Sequence, residues 1–371
     1  MTIPAPSLHS YGTLLNEKAQ ATLHRRLRHC RHHFTTTPDL TQWMSLLPSH
    51  LPLSSLTLPG THDSAAYATP FPFIATQNLP LETQLLSGIR YFDFRLGLRS
   101  NVLEMVHGRA LLSRTFTSCL DILYAFLTSH PSEALVVQIK QDRAPEASDV
   151  SFPDAVWAAL MPDADKWCFD PTTPSLGECR GKIQLLRRFG VARGGPYRGI
   201  DVSRWEDNPA RPFTIRTWRG VELVVQDHYN PSEPLALPEF VERKAGDVVG
   251  LLEMARGDGD ARRWYLNFVS GYEFNLYFQA SPHDVAVGGW WYYRFVEGVN
   301  RRVGEWLRDR KGRHRLGVVV MDYPEKPDGG LVAALVATNF ERREKMRGRR
   351  WCSYMDRQQG IGVRRCYMLV R

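Results

Sequence analysis

Short runs of β-branched and apolar residues, each closed by a turn residue, recur along the chain and alternate with stretches whose apolar positions return every three or four residues. Eight runs read as strands: SLTLPG (55–60), IRYFDFRL (89–96), LEMVH (103–107), ALVVQIK (134–140), KIQLLRRF (182–189), LVVQDHY (223–229), WYLNFVS (264–270) and LGVVVMD (316–322). Helix-like stretches fill most of the gaps: LETQLLSG before the second run, TFTSCLDILYAFLTSHP before the fourth, DAVWAALMP after it, and YYRFVEGVNRRVGEWLRDR before the eighth. Alternating strands and helices predict a parallel sheet, and eight strands predict closure into a barrel. The expected fold is α/β, an irregular TIM (β/α)8 barrel; the irregularity falls where the second and third runs are joined too closely for a helix. GDGDARR (257–263) and the proline-rich NPSEPLALPE (230–239) read as loops.

Charge changes this picture at the ends. The chain of 371 residues carries a formal +8, of which residues 1–38 hold +4 and residues 341–371 hold +7, leaving −3 for the body between them. The body is therefore not a nucleic-acid surface by charge, whereas the basic ends suit an anionic membrane surface at roughly 1 kcal/mol per well-placed Lys or Arg. We divide the chain into a basic extension (1–42), a barrel (43–340) and a basic tail (341–371). No run of eighteen apolar residues occurs, so no membrane span is expected. The N-terminus shows no apolar core after a basic start, and a cytoplasmic location is expected. The six cysteines have neither C-x-x-C nor zinc spacing, which predicts reduced thiols and no structural metal.

The strand ends carry the candidate chemistry. His62 and Asp63, Asp93 and Arg95, His107, Lys140, Arg188, Asp227 and Tyr229, Ser270, and Asp322 all fall at or near the C-terminal ends of the runs. A parallel barrel opens those ends on one face, so the residues are predicted to converge in one cleft. A charge inside an apolar strand such as VVQIK or VVVMD is costly unless it is paired or used. Two histidines can serve as general base and general acid, and a guanidinium supplies permanently charged donors that fit phosphate oxygens. That equipment suits cleavage of a phosphodiester by an internal hydroxyl.

LPGTHDS, GIRYFDFRL, VHG, RGKIQLLRRF, VVQDHY, NFVSG and VVVMDY stand in the order found in one family. From about Trp43 to Phe340 the chain resembles the X-domain of phosphatidylinositol-specific phospholipase C, most closely the metal-independent bacterial type of the PLC-like phosphodiesterases. The resemblance implies His62 as the base for the inositol 2-hydroxyl, oriented by Asp322. It implies His107, assisted by Asp63, as the acid for the diacylglycerol oxygen, and Arg95, held by Asp93, as the phosphate clamp. Lys140, Arg188 and Asp227 match contacts to the inositol hydroxyls, and Tyr229 matches an aromatic stacked on the ring. Calcium-dependent relatives place an acidic metal ligand where Arg95 stands, so no metal or other cofactor is expected.

A lipid substrate requires docking on a phosphatidylinositol-containing membrane. The rim candidates are Phe71 and Phe73 in YATPFPFIATQ (67–77) and Trp290 and Trp291 in GGWWYYRFV (288–296), whereas Tyr293 and Phe295 fall at helical spacing and could be core. The leading reading is a monomeric phosphodiesterase that cleaves phosphatidylinositol, or a glycosylated inositol lipid, to diacylglycerol and inositol 1,2-cyclic phosphate. The alternatives are a headgroup-binding adaptor without turnover and a glycerophosphodiesterase, the latter needing a set of carboxylate metal ligands.

Overall fold

The computed structural model describes residues 38–340 apart from 192–194, 196, 232 and 311; the tail 341–371 and, residues 38–42 excepted, the extension 1–42 lie outside the described residues. Eight parallel strands organise the chain: β1 (Leu58–Thr61), β2 (Tyr91–Arg99), β3 (Leu135–Gln141), β4 (Ile183–Arg188), β5 (Ile200–Asp201), β6 (Glu222–Gln226), β7 (Trp264–Phe268) and β8 (Val318–Met321). Each of β1 to β4 pairs with the next, β6 pairs with β7 and β7 with β8. The last strand returns to the first, from Leu58 opposite Val318 to Thr61 opposite Met321. Strand order that follows chain order and ends beside its own start is the winding of a TIM-type barrel. Between β5 and β6 no ladder forms among the described residues, and the antiparallel segment Phe213–Arg216 covers the free edge of β6.

Local sequence explains these elements. In β3, Leu135, Val136, Val137, Gln138 and Ile139 are all buried, because helices cover one face and the barrel interior the other. The helix Phe116–Ser129 starts where the Thr115 side chain accepts the Ser118 N–H, and Phe152–Leu160 starts where Ser151 accepts that of Asp154. A Cβ at Gly60 would come within 2.8 Å of the Tyr91 side chain, so the close approach of β1 to β2 requires glycine there.

Seven of the eight expected runs supply barrel strands, and the structure corrects the remaining one. The run 103–107 lies in Val102–His107, which pairs antiparallel with the far half of β2 and then with Ala110–Thr115, forming a hairpin outside the barrel. The missing barrel strand is β5, a two-residue pairing with Leu186 and Arg187 that is too short to leave a periodic signal. A second correction concerns 292–310. Only Val299–Arg308 is helical, because Arg294–Glu297 turns back on Gly288–Trp291 as a hairpin with Tyr292 at φ +54° in its turn. Tyr293 and Phe295 are therefore exposed on that hairpin and are not core.

Candidate active site

A cleft of about 660 Å³ opens at the C-terminal ends of the strands. His62, Arg95, Lys140, Arg188, Asp227, Tyr229, Ser270 and Asp322 line it, and so does His107, which arrives from the hairpin. Asp63 and Asp93 are buried just beneath.

His62 leaves the end of β1 and is held from both sides. Its Nδ1 lies 2.9 Å from Asp322 Oδ1 and its Nε2 lies 2.7 Å from Arg95 Nη2. A guanidinium only donates, so Nε2 accepts, Nδ1–H donates to Asp322, and the ring is neutral with its lone pair directed at Arg95. Burial, then the charge of Arg95, holds His62 well below the ordinary imidazole range. Asp322 is buried and is itself raised by that burial and by Asp63.

Across the cleft, His107 donates from Nδ1 to the Ile74 carbonyl at 2.8 Å, which directs Nε2 inward to 3.5 Å from Asp63 Oδ2. The same Asp63 oxygen is 3.7 Å from His62 Nε2, and the two imidazole centroids are 6.4 Å apart. Asp63 therefore stands between the histidines. Burial raises it to about 6 against the opposing charges of Arg95 and His107. Its backbone takes φ +41°, a left-handed conformation that Asp tolerates better than most residues. Asp93 fixes this turn: its Oδ2 accepts from Asp63 N at 3.3 Å, its carbonyl accepts from Ser64 N, and its Oδ1 accepts from Gln138 at 2.9 Å. Arg95 Nε sits 3.2 Å from Asp63 and 3.3 Å from Asp93, so two carboxylates aim its remaining nitrogens into the cleft.

The other end of the cleft is lined by charged and aromatic side chains. Arg188 lies over the Trp205 indole at 4.1 Å, and Trp205 donates from Nε1 to Asp227 at 2.9 Å. Tyr229 stacks at 13° against Tyr272 and donates to Asp207 at 3.0 Å. Arg187 points the opposite way, is buried, and pairs with Asp201 at 2.6 Å, so Arg188 is the cleft member of that pair of arginines. Lys140 Nζ meets Asp142 at 2.5 Å, and the second Asp142 oxygen accepts from Gly108 N at 2.9 Å. Asp142 is thus tied both to Lys140 and to the turn that carries His107. The sequence reading passed over it, although it stands two residues after Lys140, just past the end of β3, where the alternation of the strand returns side chains to the same face. Trp205, on the loop between β5 and β6, left no comparable signal.

At the mouth, Phe71 is exposed and Phe73 packs edge-on to Phe274 at 5.1 Å. Trp290 is 72% exposed, whereas Trp291 is half-buried against Phe278 at 5.6 Å and belongs to the margin of the core. Leu276 and Tyr277, 91% and 76% exposed, extend the apolar patch on a loop not singled out by sequence.

No family model matches the chain. It is similar to 1-phosphatidylinositol phosphodiesterase of Staphylococcus aureus, 25% identical over 76% of this chain and 87% of that protein, and to the Listeria monocytogenes enzyme of the same name, 26% identical over 77% and 81%. A mouse PI-PLC X domain-containing protein 2 is 32% identical over 29% of this chain and 40% of its own. A solved structure of phosphatidylinositol-specific phospholipase C from S. aureus superposes with a TM-score of 0.68 at 25% identity, over 82% of this chain and 98% of that one. These likenesses in sequence and fold support the PI-PLC X-domain family. Every residue expected at the site from the resemblance lies in the cleft or directly beneath it. No helix among the described residues is long and apolar enough to cross a membrane.

Proposed function

We propose that the protein is a phosphatidylinositol-specific phospholipase C that yields diacylglycerol and inositol 1,2-cyclic phosphate. The observation that carries this reading is the arrangement of two imidazoles of fixed orientation, 6.4 Å apart, with Arg95 and Asp63 between them. His62 takes the proton of the inositol 2-hydroxyl on Nε2 once Arg95 has released it, and the resulting alkoxide attacks phosphorus. Arg95 turns from His62 to the non-bridging oxygens and stabilises the charge that grows on them. His107, kept near the anionic Asp63, delivers a proton to the departing diacylglycerol oxygen. Lys140, Arg188 and Asp227 hold the ring hydroxyls and Tyr229 lies along the ring.

The permanently charged Arg95 supplies at phosphorus the positive charge that a metal ion would otherwise provide, so the reaction proceeds without one. Phe71, Trp290, Tyr293 and their exposed neighbours dock the mouth on the bilayer, and the barrel works as a peripheral protein. The test is incubation of the purified chain with phosphatidylinositol vesicles in excess chelator, followed by phosphorus NMR. A cyclic phosphodiester signal is expected. Binding to the vesicles without any product would leave a headgroup-binding protein in place of an enzyme.

A further inference from the structure

Away from the cleft, two thiols face each other. Cys168 closes the short strand Trp167–Cys168, which pairs with Ile183 and Gln184 at the start of β4. Cys179 ends the short helix Leu176–Cys179, whose capping box of Ser175 and Glu178 fixes its first turn. Cys179 Sγ lies 2.8 Å from Cys168 Sγ across a separation of eleven residues. The two sulfurs are in direct contact inside a rigid frame. Cys179 is buried and Cys168 is partly open to solvent.

The asymmetry between them has chemical content. The S–H of Cys179 pointing at Cys168, with help from Lys182, lowers the Cys168 thiol, while the same contact and burial raise Cys179. A partly exposed, acidified thiol beside a sheltered second one is the arrangement of an attacking and a resolving cysteine. The remaining described cysteine, Cys119, is buried in the core and raised by that burial to about 12. It serves as an internal control.

We propose that Cys168 and Cys179 form a reversible dithiol–disulfide site at the floor of the barrel. With a small-molecule disulfide of the glutathione type, the Cys168 thiolate attacks one sulfur, forms a mixed disulfide and expels one thiolate. Cys179 then gives its proton to solvent, attacks the Cys168 sulfur and expels the second thiolate. Two protein S–H bonds are replaced by one S–S bond, and the oxidant accepts both electrons as two thiols.

The loop that this bond closes holds several strand starts together. Pro174 O accepts from Leu53 N ahead of β1, Leu176 N and Gly177 N donate to Leu51 O and Ser49 O, and Thr173 accepts from Trp264 Nε1 at the head of β7. Gln184, opposite Cys168, is four residues and about 13 Å of strand from Arg188 in the cleft. Oxidation therefore braces the floor and leaves the cleft untouched.

The experiment equilibrates the purified chain with oxidised glutathione or with dithiothreitol, maps cysteines by alkylation and peptide mass, and records thermal unfolding. A Cys168–Cys179 crosslink is expected, with a reversible rise in Tm of roughly 5 °C. Cys119 stays reduced, and the turnover of a soluble substrate stays unchanged. Cys179→Ser is expected to stall as a glutathione adduct on Cys168, and Cys168→Ser to lose the oxidant-dependent Tm rise. If both thiols of the unmodified chain remain alkylatable after oxidation, or if Cys168→Ser still gains the stability, the assignment falls.

Discussion

Arg95 Nη2 donates to His62 Nε2 at 2.7 Å, so the proposed phosphate clamp and the proposed base are in direct contact. The guanidinium holds the ring unprotonated and covers its lone pair. In the proposed reaction, a phosphodiester that draws Arg95 toward its oxygens uncovers that lone pair.

This contact sets the protonation of His62. Its folded value lies below the usual 6.5 because of burial and Arg95. The neutral ring contributes stability that is complete above pH 6.5 and is lost as pH falls through the folded value. NMR titration should show the His62 ring still neutral somewhat below pH 6.5, and Arg95→Met should move its titration upward. An unchanged titration in Arg95→Met would separate the two residues electrostatically.

With each histidine moving a different proton in the proposed reaction, His62→Ala and His107→Ala should each lower turnover of phosphatidylinositol by about two orders of magnitude or more, and the double variant by less than the product. Circular dichroism confirms folding. Near-normal turnover in either folded variant removes that histidine from acid–base chemistry.

Asp142 ties Lys140 to the turn behind His107. Asp142→Ala should lower kcat by roughly tenfold, since a small displacement of the acid is costly in the transition state, and should also raise KM through the freed Lys140. Steady-state kinetics on a soluble, short-chain substrate separate the effects. A change in KM alone would leave the His107 turn independent of Asp142.

The exposure pattern divides membrane binding into two parts. Trp290→Ala with Tyr293→Ala should weaken vesicle co-sedimentation at every salt concentration, because insertion of apolar surface is barely screened. Removal of the +7 tail, 341–371, should weaken it mainly at low salt. Trp291→Ala should instead lower Tm, since that ring packs on Phe278. Normal vesicle binding by the Trp290/Tyr293 variant would remove the hairpin from the docking surface.

Most of the barrel was legible because strands buried on both faces, such as β3, read as unbroken apolar runs. The hairpin Val102–His107 has the same local composition, and its antiparallel pairing is decided by β2, which extends beyond the barrel to receive it. β5 is held by its neighbour alone. Arg187 and Arg188 show where local pattern ends. Adjacent strand residues face opposite sides, and an alternation in which both are arginine does not say which is inside. The structure settles it through Asp201 on one side and Trp205 on the other. The histidines and acids were legible because charged groups in apolar strands demand a partner or a use. Trp205 and Asp207 lie on a loop, where neither periodicity nor burial can be read.

Among the described residues the interval between β5 and β6 is unpaired, with Arg188 and Asp227 to either side of it and Trp205 touching both. A cyclic polyol seated there spans the gap and acts as a missing rung. On the proposed function, recognition of the headgroup and closure of the barrel would be one event, and an inositol ring that never reacts should still slow the amide exchange of β6.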